Sequence, residues 1–150
     1  MAVQLKDIAT SIVAIADPET TAVVVAQLMR RHHVGAVVVV DAKDANQPVG
    51  IVTDRDLVLE LIAEGLDPAV FTAGDIMSVN LVRARLETKA LDAVRLMADQ
   101  RVHRLLVVDE ADRLVGIVTL EDVLELLTQG LAQFAVGAVG GREREIMEWG

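Results

Sequence analysis

Apolar residues in this chain come in short runs cut by polar turns, and the runs alternate between strand-like and helical spacing. Ile12 to Ile15 is a brief apolar run, which predicts a first strand. Asp17-Pro18-Glu19-Thr20 then supplies acidic and capping residues and a proline that suits a helical first turn. Val23, Ala26 and Met29 follow at helical spacing. Gly35 ends that helix or opens the next element, and Ala36 to Asp41 is valine-rich and strand-like. Lys43 to Pro48 is a turn-rich loop before a strand over Val49 to Thr53, so the two strands should form an antiparallel hairpin. Asp54 to Glu64 reads as a second helix that ends near Gly65.

The second half repeats the order. Leu91, Val94 and Met97 mark a helix, Arg104 to Asp109 and Leu114 to Thr119 mark strands, and Leu120 to Gln129 marks a last helix with Gly130 as its stop. Each half therefore reads strand, helix, strand, strand, helix. The halves also share residues in register. Asp7-Ile8 returns as Asp75-Ile76, Glu19-Thr20 as Glu87-Thr88, Leu28-Met29 as Leu96-Met97, and Val39-Val40-Asp41 as Val107-Val108-Asp109. Gly50-Ile51-Val52-Thr53-Asp54-Arg55-Asp56-Leu57 returns as Gly116-Ile117-Val118-Thr119-Leu120-Glu121-Asp122-Val123, with the loop after Asp41 longer in the first copy. Matching that holds across both halves marks a duplicated structural unit. The reading is an α/β fold of the α+β type: a first repeat over 1–65, a linker over 66–74 with Pro68 and Gly74, a second repeat over 75–130, and a tail over 131–150. Valine runs imply strands buried on both faces, and one repeat alone is too small to bury them, so the two should fold as one body.

Composition narrows the function classes. Hydrophobic residues make up 53 % of the 150-residue chain and aromatics only 2 %, so Val, Leu, Ile and Ala must build the core. The absence of cysteine excludes disulfides and thiolate metal sites. A formal net charge of −9 and scarce aromatics argue against nucleic acid as a partner. The apolar stretches are too short to span a bilayer, and Lys6 and Asp7 interrupt any leader-like run, so no membrane association and a cytoplasmic setting are expected. In the tail, Gly137, Gly140 and Gly141 precede the charged run Arg142-Glu143-Arg144-Glu145 and the lone Trp149. It reads as a flexible stretch, or as an arm that packs on a partner subunit.

Thr53-x-x-Asp56 and Thr119-x-x-Asp122 each stand where a strand turns into a helix. The plain reading is a capping box, in which Thr caps the helix and the acidic residue bonds back. The same geometry suits a ligand: a helix N-terminus offers free N–H groups and a positive dipole end to phosphate, and a carboxylate can accept both bonds of a ribose diol. The readings are compatible. Gly50 and Gly116 would leave room for a flat ring or a backbone to approach. His32-His33 invites a metal reading, but adjacent helical residues point about 100° apart, and a favourable interaction with the helix C-terminus explains the pair better. Val24 stands where the other copy has Asp92, an extra apolar residue that would suit a subunit contact. No activated nucleophile, His–carboxylate pair or metal cluster is evident, so an enzyme is not expected.

The doubled unit, each copy ending Gly-Ile-Val-Thr-x-x-Asp, resembles the cystathionine-β-synthase-type (CBS) domain, and the pair resembles the tandem arrangement called a Bateman module. The resemblance covers about residues 7 to 130. It implies two repeats packed about a pseudo-twofold axis, with clefts between them that hold AMP, ADP, ATP or a related adenosyl ligand such as S-adenosylmethionine. By that resemblance Asp56 and Asp122 would hold ribose hydroxyls, and Thr53 and Thr119 ribose or phosphate oxygens. Val13 with Ile51 would sandwich the adenine in one site, and Leu81 with Ile117 in the other. Val102-His103-Arg104-Leu105 matches the family pattern in which a His-Arg pair reaches phosphates, whereas the first repeat has Val34-Gly35-Ala36-Val37 there. Arg83 and Arg85 likewise align with Ile15 and Asp17, so positive charge gathers on the second repeat and the clefts should be unequal. No cofactor is required, though Mg²⁺ would accompany a polyphosphate. The expectation is a regulatory ligand sensor, assembled as a homodimer and acting on an unidentified protein. The competing expectation is an interaction scaffold whose clefts are empty.

Overall fold

The computed structural model describes residues 3–8 and 13–139. The first repeat runs through β1 (Ile15–Ala16), α1 (Ala22–His32), β2 (Ala36–Val40), β3 (Pro48–Thr53) and α2 (Asp54–Asp56), which continues as a π-helical stretch over Leu57–Ile62. The second runs through α3 (Ala73–Ile76), β4 (Arg83–Arg85), α4 (Ala90–Gln100), β5 (Arg104–Val108), β6 (Leu114–Thr119) and α5 (Leu120–Val139). Each repeat has a three-stranded sheet, ordered β1-β2-β3 or β4-β5-β6. In each, the first pair is parallel and the second is the expected antiparallel hairpin. Both hairpins carry a register shift at the same point, between Val39 and Val40 and between Val107 and Val108. The sheets meet through Val38, Val40 and Leu106, with Val13, Ile51, Leu81, Leu114 and Ile117 packed around them.

Two helix boundaries need correction, the start of α1 and the end of α5. The helix that the spacing of Val23, Ala26 and Met29 marks is α1, and its buried face is Ala22, Val25 and Met29. That of α4 is Ala90, Ala93 and Met97, and Leu91 is exposed. Asp17-Pro18-Glu19-Thr20 is not the helix start: Thr21 is the cap of α1 and its hydroxyl accepts from Val24 N, while Asp17 to Thr20 forms a separate turn. Finally, Gly130 does not stop the last helix. α5 runs on to Val139, so most of the predicted tail's first half is helical. Residues 140–150, including Trp149, lie outside the described residues, as does Ile12 of the first apolar run.

The repeats are interlocked through their leading segments. Leu5, in a short 3₁₀ turn over Leu5–Asp7, is fully buried in the core of the second repeat, against Ala90, Ala93, Leu105 and Val118 among others. Ala73, the first residue of α3, is fully buried in the core of the first repeat. The backbone contacts repeat across the pseudo-twofold relation. Leu5 N donates to Thr88 O at 2.9 Å, and Ala73 N to Thr20 O at 2.7 Å. Lys6 N donates to Leu86 O, Gly74 N to Pro18 O, Ala90 N to Val3 O and Ala22 N to Phe71 O. Each repeat thus finishes the core of the other. Among the described residues no helix is long and apolar enough to cross a membrane.

Candidate functional site

Where β3 meets α2, the chain must satisfy the free N–H groups of a new helix. Thr53 and Asp56 do so as a complete capping box. Asp56 N donates to Thr53 Oγ1 at 3.1 Å, and Thr53 N donates to Asp56 Oδ2 at 2.9 Å. This leaves Asp56 Oδ1 and the remaining lone pairs available, and Asp56 is only part-buried. At the second junction Asp122 N donates to Thr119 Oγ1 at 3.1 Å, which is the first leg of the same box.

Both side chains of the first junction face a cleft of about 430 Å³ between the repeats. Its walls are Ile51, Thr53, Arg55 and Asp56 from the first repeat, and Ser78 to Val82 without Val79, Arg101 to Arg104, and Leu106 from the second. The strand edge of β3 pairs with the incoming chain here: Ile51 N donates to Ser78 O at 3.0 Å, and Ser78 N to Ile51 O at 2.9 Å. Ile51 and Leu81 both line this cleft. The apolar walls are therefore grouped differently from the sequence-based expectation. Ile51 faces Leu81 in one cleft, and the pseudo-twofold relation carries that pair onto Ile117 and Val13. Residues 9–12, which correspond in sequence to Met77 to Asn80, lie outside the described residues.

His103 and Arg104 line the cleft together with Arg55 and Arg101, which the sequence reading passed over. Arg55 sits inside the Thr-x-x-Asp motif as an unspecified position. Arg101 is the left-handed cap of α4 at φ 56°, and only the helix boundary reveals that it turns towards the strand entry. Arg104 reaches over Gly35: a Cβ at that position would stand 2.8 Å from Arg104 Nη2 and 3.1 Å from Asp54 Oδ2. The glycine that interrupts the His-Arg pattern in the first repeat is thus also the seat of the second repeat's arginine.

Gly50 requires a second correction. The space above it holds the Met77 side chain. A Cβ there would overlap Met77 Sδ and lie 2.7 Å from its Cγ. Gly50 makes room for packing of Met77, not for a ligand ring. Gly116 is buried opposite Val107, as Gly50 is opposite Val39. Of the remaining candidates, Thr119 is part-buried and Asp122 is exposed at the start of α5.

The CBS domain family profile matches residues 5–63 and again 73–129. The chain belongs to the CBS domain family. An uncharacterised protein of Methanopyrus kandleri is 39 % identical over 124 residues, which cover 83 % of this chain and 62 % of that protein. The chain thus spans less than two thirds of that relative. The CBS domain-containing protein YhcV of Bacillus subtilis is 38 % identical over 119 residues, covering 79 % of this chain and 81 % of YhcV. Among solved structures, a CBS domain pair in complex with 5′-methylthioadenosine and S-adenosyl-L-methionine superposes with a TM-score of 0.76 at 25 % identity, covering 87 % of this chain and 99 % of that one. The CBS domain of a bacterial CNNM/CorC family Mg²⁺ transporter in complex with ATP superposes with a TM-score of 0.70 at 28 % identity, covering 82 % of this chain and 85 % of that one. The interlocked repeats and paired sheets are therefore those of a tandem CBS pair.

Proposed function

We propose that this CBS pair is a regulatory module that binds an adenine nucleotide in the cleft between its repeats. The observation that carries the reading is the convergence of a capped Thr53–Asp56 junction from one repeat with His103 and Arg104 from the other, across Ile51 and Leu81. Asp56 has acceptor capacity for a ribose diol beyond its capping bond. Arg104 and His103 supply donors for phosphate. The aliphatic walls suit a purine face. CBS pairs in complex with ATP, and with 5′-methylthioadenosine and S-adenosyl-L-methionine, support the ligand class.

Binding works as a signal because the ligand bridges two repeats. An occupied cleft stabilises the arrangement in which both walls are in place. The output passes to a second copy of the chain or to another protein. A homodimer accounts for the apolar helix face of the first repeat, where Val58 and Ile62 are exposed beside a groove lined by Val23, Ala26 and Leu57. The reading involves no chemical turnover.

Thermal unfolding against AMP, ADP, ATP, S-adenosylmethionine and GTP, with and without Mg²⁺, tests the reading. A ligand at a hundred times its Kd adds about 2.7 kcal/mol. At about 2–4 °C per kcal/mol for a domain of this size, the shift is about 5–10 °C. It should be selective for adenine ligands and lost in Asp56→Ala. No shift with any adenine ligand would leave the scaffold reading in its place.

A further inference from the structure

The core-covering stripe of α5 outruns its own core. Val123 is buried in the core of the second repeat, and Leu120 and Leu127, on the same helix face, pack against it. The next positions of that stripe are Leu131 and Phe134, which are 69 % and 66 % exposed. A Cβ on Gly130 or Gly137 would meet nothing within 4 Å, so the helix stands clear of the body there. The CBS domain match ends at residue 129, so this outer half of α5 lies beyond the repeat proper. It also lies in the longest uncharged stretch of the sequence, which runs from Leu126 to Gly141. An apolar stripe that continues past its own core is a surface for something else to cover.

The first repeat has the complementary feature. Its helix after β3 ends at Ile62, and between that helix and α1 lies a groove of about 520 Å³ walled by Val23, Ala26, Leu57, Val58, Leu61 and Ile62. Arg30 and Asp54 are the charged residues of its lining, one of each sign. Arm and groove belong to different helix layers. Val38, Val40 and Leu106 meet between the two sheets, whereas Val37 and Val39 face the helices of the first repeat, and Leu105 and Val107 those of the second. An unbroken helix that leaves β6 over its own sheet therefore meets the groove of a second copy, not that of its own chain. Two copies with a net charge of −9 each repel one another, so the surfaces that join them must carry no net charge, which holds for arm and groove alike.

We propose that the outer half of α5 is an exchange arm. It lays Leu131 and Phe134 into the groove between α1 and the Leu57–Ile62 stretch of a second copy, and the arm of that copy fills the first groove in return. This is helix-in-groove recognition with Phe134 as the aromatic anchor. One arm and one groove per chain close a twofold dimer and leave neither open. Leu127 to Val139 spans about 20 Å, and a helix about 12 Å across covers about 240 Å² of what it lies on. Two arms in two grooves have four such faces, about 1,000 Å² together, which reaches the size of a specific interface. The inference deepens the homodimer reading above by naming the element that fills the groove, and it does not depend on the nucleotide.

Sedimentation equilibrium of the full chain, without nucleotide, tests it. The unmodified chain should be a dimer. Phe134→Asp on the arm and Ile62→Asp in the groove should each raise the dimer dissociation constant about a hundredfold, because the dimer carries each change twice. Val136 follows Phe134 by two residues, about 200° round the helix, so Val136→Asp puts the same charge on the far side of the arm and should leave the dimer intact. These three side chains are at least half exposed, so the variants should fold, and circular dichroism checks this. The sequence has no cysteine, so introduced ones report proximity without background. A short bismaleimide should join Ala135→Cys chains to Val58→Cys chains when the two are mixed. A monomeric unmodified chain would overturn both the arm and the homodimer reading. A dimer that survives Phe134→Asp, or that Val136→Asp dissociates equally, would overturn the arm alone. So would Ala135→Cys chains that are joined to each other and not to Val58→Cys chains.

Discussion

Leu5→Ala should destabilise the second repeat, although Leu5 stands at the start of the first. The side chain is fully buried among Ala84, Ala90, Ala93, Met97, Leu105, Val107, Val118 and Val123. Truncation to Ala loses the transfer energy of the missing carbons and leaves a cavity. Buried Leu→Ala changes cost about 2.7–5 kcal/mol. The three alanines around Leu5 have no spare side-chain length to fill the gap, while the leading segment itself can settle slightly. These effects oppose each other, and about 3 kcal/mol is the expected cost. At about 2–4 °C per kcal/mol, the melting temperature falls by about 6–12 °C. Val70→Ala is the control: that side chain is 69 % exposed, and its truncation should cost less than about 1 kcal/mol. Urea unfolding gives the free energies. Native-state hydrogen exchange locates the damage, and protection should fall more in β5 than in β2. A fall below about 2 °C, or protection lost first from β2, would refute the interlocked arrangement.

Gly50→Ala should cost about 1–3 kcal/mol by overpacking against Met77, and Met77→Ala in the same chain should recover part of that loss; a double-mutant cycle in urea reads the coupling. Gly130→Ala should stabilise the protein by about 0.5–1 kcal/mol, because α5 is helical through this position and a Cβ there meets open space. Thermal melts read that gain, and a loss would mean that the helix stops at Gly130 after all. Thr53→Ala removes one leg of a complete capping box and should cost about 1 kcal/mol in urea unfolding, with no cost counting against the box as a stability element.

The duplicated unit was legible because its strands and turns carry strong local signals. Gly-Ile-Val-Thr ends each hairpin, and the valine runs leave little choice but buried strands. The helix faces were not legible to the residue. Val23-Val24-Val25 is apolar at three consecutive positions, so hydrophobic spacing cannot phase it, and the buried face is carried partly by small alanines such as Ala22, Ala90 and Ala93. The end of α5 was misread because glycine is a stop signal only when the chain turns there, and Gly130 and Gly137 both sit inside a continuing helix. The cleft was half legible. Thr53, Asp56, His103 and Arg104 stand out by motif, but facing Ile51 with Leu81 depends on which repeat each leading segment joins. That choice is a long-range contact with no local trace. Gly50 shows the same limit from the other side: a glycine marks a close approach without saying what approaches.

The interlock also bears on how an occupied cleft would be felt elsewhere. The chain that closes it, Ser78 to Val82, leaves α3, whose first residue is buried in the first repeat, and continues into β4 of the second. Ser78 is tied to Ile51 by two backbone bonds, and Arg83, directly after this stretch, pairs with Leu106. This segment therefore cannot move away from one repeat without pulling on the other. A ligand held by Asp56 on one side and by Arg104 on the other would add its binding energy to that junction, because separating the repeats would break its site. Local loosening of α3 would in turn open the cleft, since Met77 packs on Gly50 immediately before the wall of the site that Ser78 and Asn80 supply. On the proposed reading, occupancy and docking of the two repeats would be one linked equilibrium, and a partner that reads the relative position of the repeats would read the ligand.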